Sequence, residues 1–195
     1  MKTKRAYTMG ARADAVQETR KRILESAFGL ADTKLFTEIT LDEVARGAGV
    51  SVQTVLRQFG SRDGLVDATM AYAERAVSDE RETPVGDPAA AVRVIVDHYE
   101  RRGRTALLML AQEDHDATVA GLTSRGKAMH RSWVETAFAP FVRAADPSLD
   151  LLVVATDVYT WKLLRLDRGL SRAQTQKRML DLVDAILAQV GKDSR

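Results

Sequence analysis

Apolar residues along this chain recur three and four positions apart, the spacing that lines one face of an α-helix. No stretch alternates apolar and polar residues with turn signals on both sides, as a strand would. The pattern and its punctuation predict helices at about 14–34, 40–47, 51–58, 62–82, 88–102, 104–115, 119–144, 148–168 and 171–190. Thr40-Leu-Asp-Glu43 and Ser171-Arg-Ala-Gln174 have the capping-box pattern, in which a hydroxyl and a Glu or Gln satisfy each other's backbone amides. Asp87-Pro88 and Asp146-Pro147 put a cap acceptor directly before a proline at the first helical position. Thr83-Pro-Val-Gly-Asp-Pro88 is the clearest loop, and Gly169 ends a helix. The fold class is therefore all-α, with about nine helices.

The first three helices can close a small core of their own. Val16, Ile23, Ala27, Leu30 and Ala31 share a side of the first; Leu41, Val44, Ala45 and Ala48 come from the second; Val50, Val55 and Phe59 follow. Ala48-Gly49-Val50-Ser51 leaves almost no chain between helices two and three. A glycine there can turn through positive φ without a Cβ penalty, Val50 plugs the core and Ser51 caps the next helix. So tight a turn sets the third helix steeply against the second, with one face free to enter a DNA major groove. With Val55 and Phe59 inward, Val52, Gln53, Thr54, Leu56, Arg57 and Gln58 lie outward or on the flanks. Gln pairs bidentately with adenine and Arg with guanine, while apolar side chains touch thymine methyls. Thr40, Ser51 and Arg62 stand where phosphate oxygens would be met.

Charge supports this division. The 195 residues carry a net +2, but residues 1–62 hold eleven Lys/Arg against seven Asp/Glu, and the remainder eighteen against twenty. A basic front joined to a mildly acidic remainder fits a nucleic-acid end and a different working end. The expected organisation is a basic flexible arm at 1–13 (Lys2, Lys4, Arg5, Arg12), a helix-turn-helix domain at 14–62 with its motif at about 40–59, and a helical effector-binding and dimerisation domain at 63–195. Lys4 and Arg5 are expected to reach phosphates or the minor groove.

These residues resemble the TetR family of bacterial regulators. The resemblance rests on Ile23-Leu24, Ser26-Ala27, Leu30, Phe36, Thr40, Val44-Ala45, Ala48-Gly49-Val50-Ser51, Thr54-Val55, Phe59, Arg62 and Leu65, spaced without a gap over about a quarter of the chain. It implies a homodimer that binds a near-palindromic double-stranded DNA operator and answers to a small-molecule effector. Five positions depart from the pattern. Leu56 stands for a Tyr that would touch a phosphate, Leu35 for a glycine, Ala31 for a core Phe, Ile39 for a Thr, and Arg62 for a Lys.

The C-terminal region carries two helices with broad apolar surfaces. One holds Leu151, Val154, Ala155, Val158 and Trp161 on one stripe and Leu152, Thr156, Tyr159, Leu163 and Leu166 on another. The other holds Met179, Leu180, Leu182, Val183, Ile186, Leu187 and Val190. Two such hairpins about a twofold axis make a four-helix bundle, so Leu151, Val154, Val158, Leu182, Val183, Ile186 and Leu187 are candidate dimer contacts. Leu107, Leu110, Met129, Trp133, Phe138, Tyr159 and Trp161 are candidates for lining an apolar pocket.

Other chemistry finds little support. The chain has no cysteine, so disulfides, cysteine–zinc sites and thiol nucleophiles are excluded. Asp114-His115-Asp116 sits on adjacent positions, which point in different directions on a helix. No catalytic, cofactor or metal site is expected. No apolar run approaches the ~20 residues that cross a bilayer, and no h-region follows the basic N-terminus, so a cytoplasmic location is expected. The reading that follows is a sequence-specific transcriptional regulator, most simply a repressor released from its operator by a small, largely apolar effector. An orphan regulator without a ligand, and a helical enzyme or carrier, stand as alternatives.

Overall fold

A computed structural model describes residues 3–31, 33–34, 38–143 and 145–193, with side chains from Ala13 to Gly191. Lys2, Leu35 and Phe36, and the side chains of Lys4, Arg5 and Arg12, lie outside the described residues. Among the described residues all regular structure is helical: α1 (Thr3–Leu30), α2 (Leu41–Ala48), α3 (Val52–Phe59), α4 (Arg62–Glu80), α5 (Pro88–Leu110), α6 (Ala117–Ala137), α7 (Ser148–Ala155), α8 (Val158–Lys162) and α9 (Arg172–Asp193), with one π turn over Leu163–Asp167. The backbone is thus helical from Thr3, where the sequence reading expects an arm.

The chain divides into two compact units, Met1–Val77 and Ser78–Arg195. In the first, Ile23 and Ala27 of α1 meet Val44, Ala45 and Ala48 of α2, Val55 of α3 and Leu65 of α4, all under a tenth exposed. Ile39, at a family position for Thr, is buried in this core and so serves as a plug. Val16 is 45% exposed and takes no part in the core. Thr69 is buried but satisfied, its hydroxyl donating to the Leu65 carbonyl at 2.8 Å. Phe28 and Tyr72 meet edge to face, 5.8 Å between ring centres.

In the second unit α5 packs against α6, α8 and α9, and α7 against α6 and α9. Its core is Val92, Ile95, Val96 and Tyr99 of α5, Val134 and Phe138 at the end of α6, Leu149 and Leu152 of α7, Trp161 of α8, and Met179 and Val183 of α9. Burial of this apolar area is the main driving force for the fold.

Three differences from the predicted helices have physical causes. The expected break after residue 102 is absent, and α5 runs on to Leu110. Gly103 is there for space rather than to end a helix: a Cβ on it would stand 2.6 Å from the Trp161 ring. Helix α6 stops at Ala137 instead of 144, because Pro140 cannot continue it and biases the preceding residue away from helix. The predicted helix 148–168 is broken at Thr156-Asp157. Asp157 is extended (φ −74°, ψ 155°) and caps a new helix, accepting from the Tyr159 amide at 2.8 Å.

Candidate nucleic-acid interface and effector cleft

The frame of the helix-turn-helix is a sequence of caps. The Thr40 hydroxyl accepts from the Glu43 amide at 3.3 Å, while Glu43 Oε2 accepts from the Thr40 amide at 2.9 Å, closing the predicted capping box. Lys34 also pairs with Glu43, and these bonds hold its carboxyl well below the usual carboxylate range, the Lys34 contact most of all. Helix α2 ends on Gly49 in the left-handed region (φ 66°, ψ 38°), and the Val50 amide reaches back to the Ala45 carbonyl at 2.9 Å. This is a Schellman-type closure that glycine favours. Two residues later Ser51 opens α3 and accepts from the Thr54 amide at 3.2 Å.

The C-terminal end of α3 is fixed from α1. Arg20 Nη1 donates to the Gln58 carbonyl at 2.9 Å, and its guanidinium lies 4.3 Å from the centre of the Phe59 ring. A cation at this end also complements the helix dipole. Sequence reading missed Arg20 because it lies 38 residues from its partner, on a helix read only for its apolar stripe.

Between these supports α3 buries Val55 and turns Gln53, Leu56 and Arg57 to solvent. Among the described residues the side chains of Gln53 and Arg57 make no hydrogen bond or ion pair. Val52 and Gln58 are half-buried, Val52 packing against the core. Thr54 is half-buried, its hydroxyl 3.0 Å from that of Ser51. Arg62 is exposed at the start of α4, where Nη2 donates to the Ile39 carbonyl at 3.4 Å, beside the Thr40 cap. Thr40, Ser51 and Arg62 therefore edge the same motif, and Gln53, Leu56 and Arg57 form its outward face.

The second unit holds an open cleft of about 550 Å³. Of the seven residues expected around a pocket, Met129 and Trp133 line it. Phe138 and Trp161 are core, and Trp161 Nε1 donates to Glu100 at 3.0 Å. Leu107 and Leu110 pack half-buried against that core, and Tyr159 is 54% exposed. The rest of the lining is mostly polar: Ser78, Asp79, Arg81, Glu82, Thr83, Ser132 and Thr136. This differs from the apolar lining expected, because the α4–α5 turn rather than the C-terminal half of α5 supplies one wall. Beside it, Glu80 gathers His98 Nδ1 at 3.2 Å and Arg102 Nη2 at 2.8 Å, and these partners, His98 first, drive its carboxyl far below the usual range. Burial lowers His98 and His130 to about 4, so both are neutral at pH 7.

The candidate dimer residues also divide. Leu151, Val154 and Leu182 are exposed, joined by Tyr159 and Leu163, each about half accessible. Ile186 and Leu187 are half-buried, while Val158 and Val183 belong to the core. Among the described residues no three His, Asp or Glu side chains gather as metal ligands, and no helix is long and apolar enough to cross a membrane.

Comparison with known proteins agrees with this architecture. The family model for bacterial regulatory proteins of the tetR family matches residues 23–69. The HTH-type transcriptional regulator EthR of Mycolicibacterium smegmatis is 35% identical over 75 residues, covering 36% of this chain and 35% of EthR. AlkX of Mycobacterium tuberculosis, also an HTH-type transcriptional regulator, is 39% identical over 61 residues, covering 31% of this chain and 29% of AlkX. The chain thus spans about a third of the length of the curated relatives it matches. A tetR-family regulator from Streptomyces coelicolor shares the fold with a TM-score of 0.66 at 21% identity, over 91% of this chain and 90% of that one. A Rhodococcus structure described as a putative TetR-family regulator does so with 0.66 at 18% identity, over 88% and 99%. Residues 23–69 thus match the tetR-family model, and the chain as a whole shares the helical fold of the solved tetR-family regulators.

Proposed function

We propose that the protein is a sequence-specific transcriptional regulator that binds near-palindromic DNA as a homodimer and gives it up when a small molecule occupies the second unit. The observation that carries this reading is the outward face of α3. Among the described residues the Gln53 and Arg57 side chains meet no hydrogen-bond or ion-pair partner, yet the helix bearing them is capped at Ser51 and anchored at Gln58 by Arg20. Unpaired side chains on a rigid helix are what base readout requires. Leu56, which cannot donate to a phosphate, is exposed on the same face and fits a thymine methyl instead. Phosphate contacts then fall to Arg62 and the hydroxyl-capped helix starts.

Exposed Leu151, Val154 and Leu182, at helical spacing on α7 and α9, support the homodimer. Apolar surface of this kind is a marker of association. Helix α4 supplies Leu65 to the first core and ends beside the cleft at Glu80, which makes it the segment to carry a ligand signal. A ligand that binds one arrangement of the protein better than another shifts the population toward that arrangement. Selection of bound DNA from a random pool, followed by titration of the recovered site with and without candidate effectors, tests the proposal. An enriched inverted repeat is expected, and a pool that shows no enrichment refutes it.

A further inference from the structure

Residues 148–168 carry the spacing of one helix, yet the structure parts them at Thr156-Asp157 into α7 and α8. No proline or glycine stands between Ser148 and Arg168, so no residue there forbids a continuous helix. The break has to be held by something outside the segment. In a continuous helix Val153 would accept from the Asp157 amide and Thr156 from the Thr160 amide. At the break the Asp157 amide turns instead to the Val154 carbonyl, at 3.2 Å.

Side chains of the neighbouring helices take the vacated places. His130 of α6 brings Nε2 to 3.3 Å from the Val153 carbonyl, and because a carbonyl only accepts, that nitrogen carries the proton. The same nitrogen lies 3.3 Å from the Thr156 hydroxyl, which itself donates to the Leu152 carbonyl. Tyr99 of α5 donates its hydroxyl to the Thr156 carbonyl at 3.1 Å. Both donors are buried. A joined helix would satisfy the same carbonyls from its own amides. The two forms thus exchange a few hydrogen bonds for a few others, which is the narrow gap of a two-state element.

The break divides the exposed apolar residues of the proposed dimer face. Leu151 and Val154 precede it; Tyr159 and Leu163 follow it. We infer that Tyr99 and His130 form a latch that holds the helix open at Thr156-Asp157 and so keeps the two halves of this face at the angle that pairs with a second copy. With the donors withdrawn, α7 and α8 join, and Tyr159 and Leu163 are carried to a new angle against Leu151 and Val154. This rests on the proposed homodimer and supplies a control for it.

Tyr99→Phe and His130→Phe each keep a ring and remove the donor. The test reads the Asp157 Cα chemical shift in the full chain labelled at aspartate, with the dimer dissociation constant from sedimentation alongside. Asp157 is extended in the latched form (ψ 155°). Each lost donor should lower the ratio of open to joined helix about fivefold, so the double variant moves the Asp157 shift into the helical range and weakens the dimer tenfold or more. Asp150 in α7 and Asp181 in α9 should keep their shifts. An Asp157 shift that stays extended in the double variant overturns the latch. So does a drift of Asp157, Asp150 and Asp181 together toward coil, which is the mark of a core merely loosened. Should the double variant not fold, Tyr99→Phe alone decides, and an unmoved Asp157 shift there overturns the inference. A helical Asp157 with unchanged dimer affinity overturns the control of the dimer face. A wild-type chain that is monomeric contradicts the homodimer reading instead, while the Asp157 shift still judges the latch.

Discussion

Arg20 stacks over the Phe59 ring at 4.3 Å while its Nη1 holds the Gln58 carbonyl, so one side chain of α1 clamps the end of α3. The cation–π contact and the charged hydrogen bond are each worth about 1 kcal/mol. Arg20→Ala should therefore lower stability by about 1–2 kcal/mol in urea unfolding. DNA affinity should fall for all sequences alike, because Arg20 positions α3 without reading bases. A changed base preference would place Arg20 among the reading residues instead.

Gly49 holds φ 66° with open space around its Cα. Gly49→Ala therefore meets only the left-handed backbone penalty, about 1–2 kcal/mol. Thermal unfolding should show that loss together with weaker DNA binding. A neutral substitution would mean that the turn between α2 and α3 can close in another way.

Gly103 poses the opposite problem. Its backbone is ordinary helix, but a Cβ would enter the Trp161 ring. Gly103→Ala should cost about 1–3 kcal/mol through overpacking. Combining it with Trp161→Phe should restore part of that loss, since residues in contact do not add independently. Strict additivity in the double-mutant cycle would remove the steric explanation.

Acid should destabilise the second unit. His98, facing Glu80, Arg81 and Arg102, and His130, facing Arg81 and Asp157, are held near 4 chiefly by burial. In the unfolded chain a histidine titrates near 6.5. Between these values the unfolded chain binds more protons, so stability is complete above about 6.5 and declines as the pH falls toward 4. The loss between pH 7 and 5 is on the order of 2 kcal/mol per histidine. Urea midpoints at the two pH values check this. His98→Gln and His130→Gln should each flatten the dependence; an unchanged slope would assign it to carboxylates.

Leu151→Glu with Val154→Glu changes only exposed positions. Sedimentation should show the dimer reduced to monomer with unfolding temperature of the monomer preserved. A dimer that persists moves the interface elsewhere, and a wild-type monomer removes it.

The N-terminal unit was the more legible of the two, because its signals are local. The Thr40 box, the Gly49 turn and the Ser51 cap are each written within four residues of chain. What depends on distant contacts was hidden. Arg20 reads as a surface charge until α3 is folded beside it, and Gly103 reads as a helix end until Trp161 is seen against it. Val158 and Val183 share apolar stripes with Leu151 and Leu182 yet point inward, since periodicity gives a face but not which neighbour covers it. The cleft wall at Arg81 and Thr83 comes from a turn, where periodicity says nothing.

Base reading by α3 through Gln53 and Arg57 is open to direct measurement. The sequence preferences of wild type, Gln53→Ala and Arg57→Ala are compared on the selected site and its single-base variants. Each substitution should flatten discrimination at its own base pair, by ~1–3 kcal/mol, and leave the rest of the profile in place. A uniform loss of affinity with discrimination intact would mean that Gln53 and Arg57 contact only the DNA backbone.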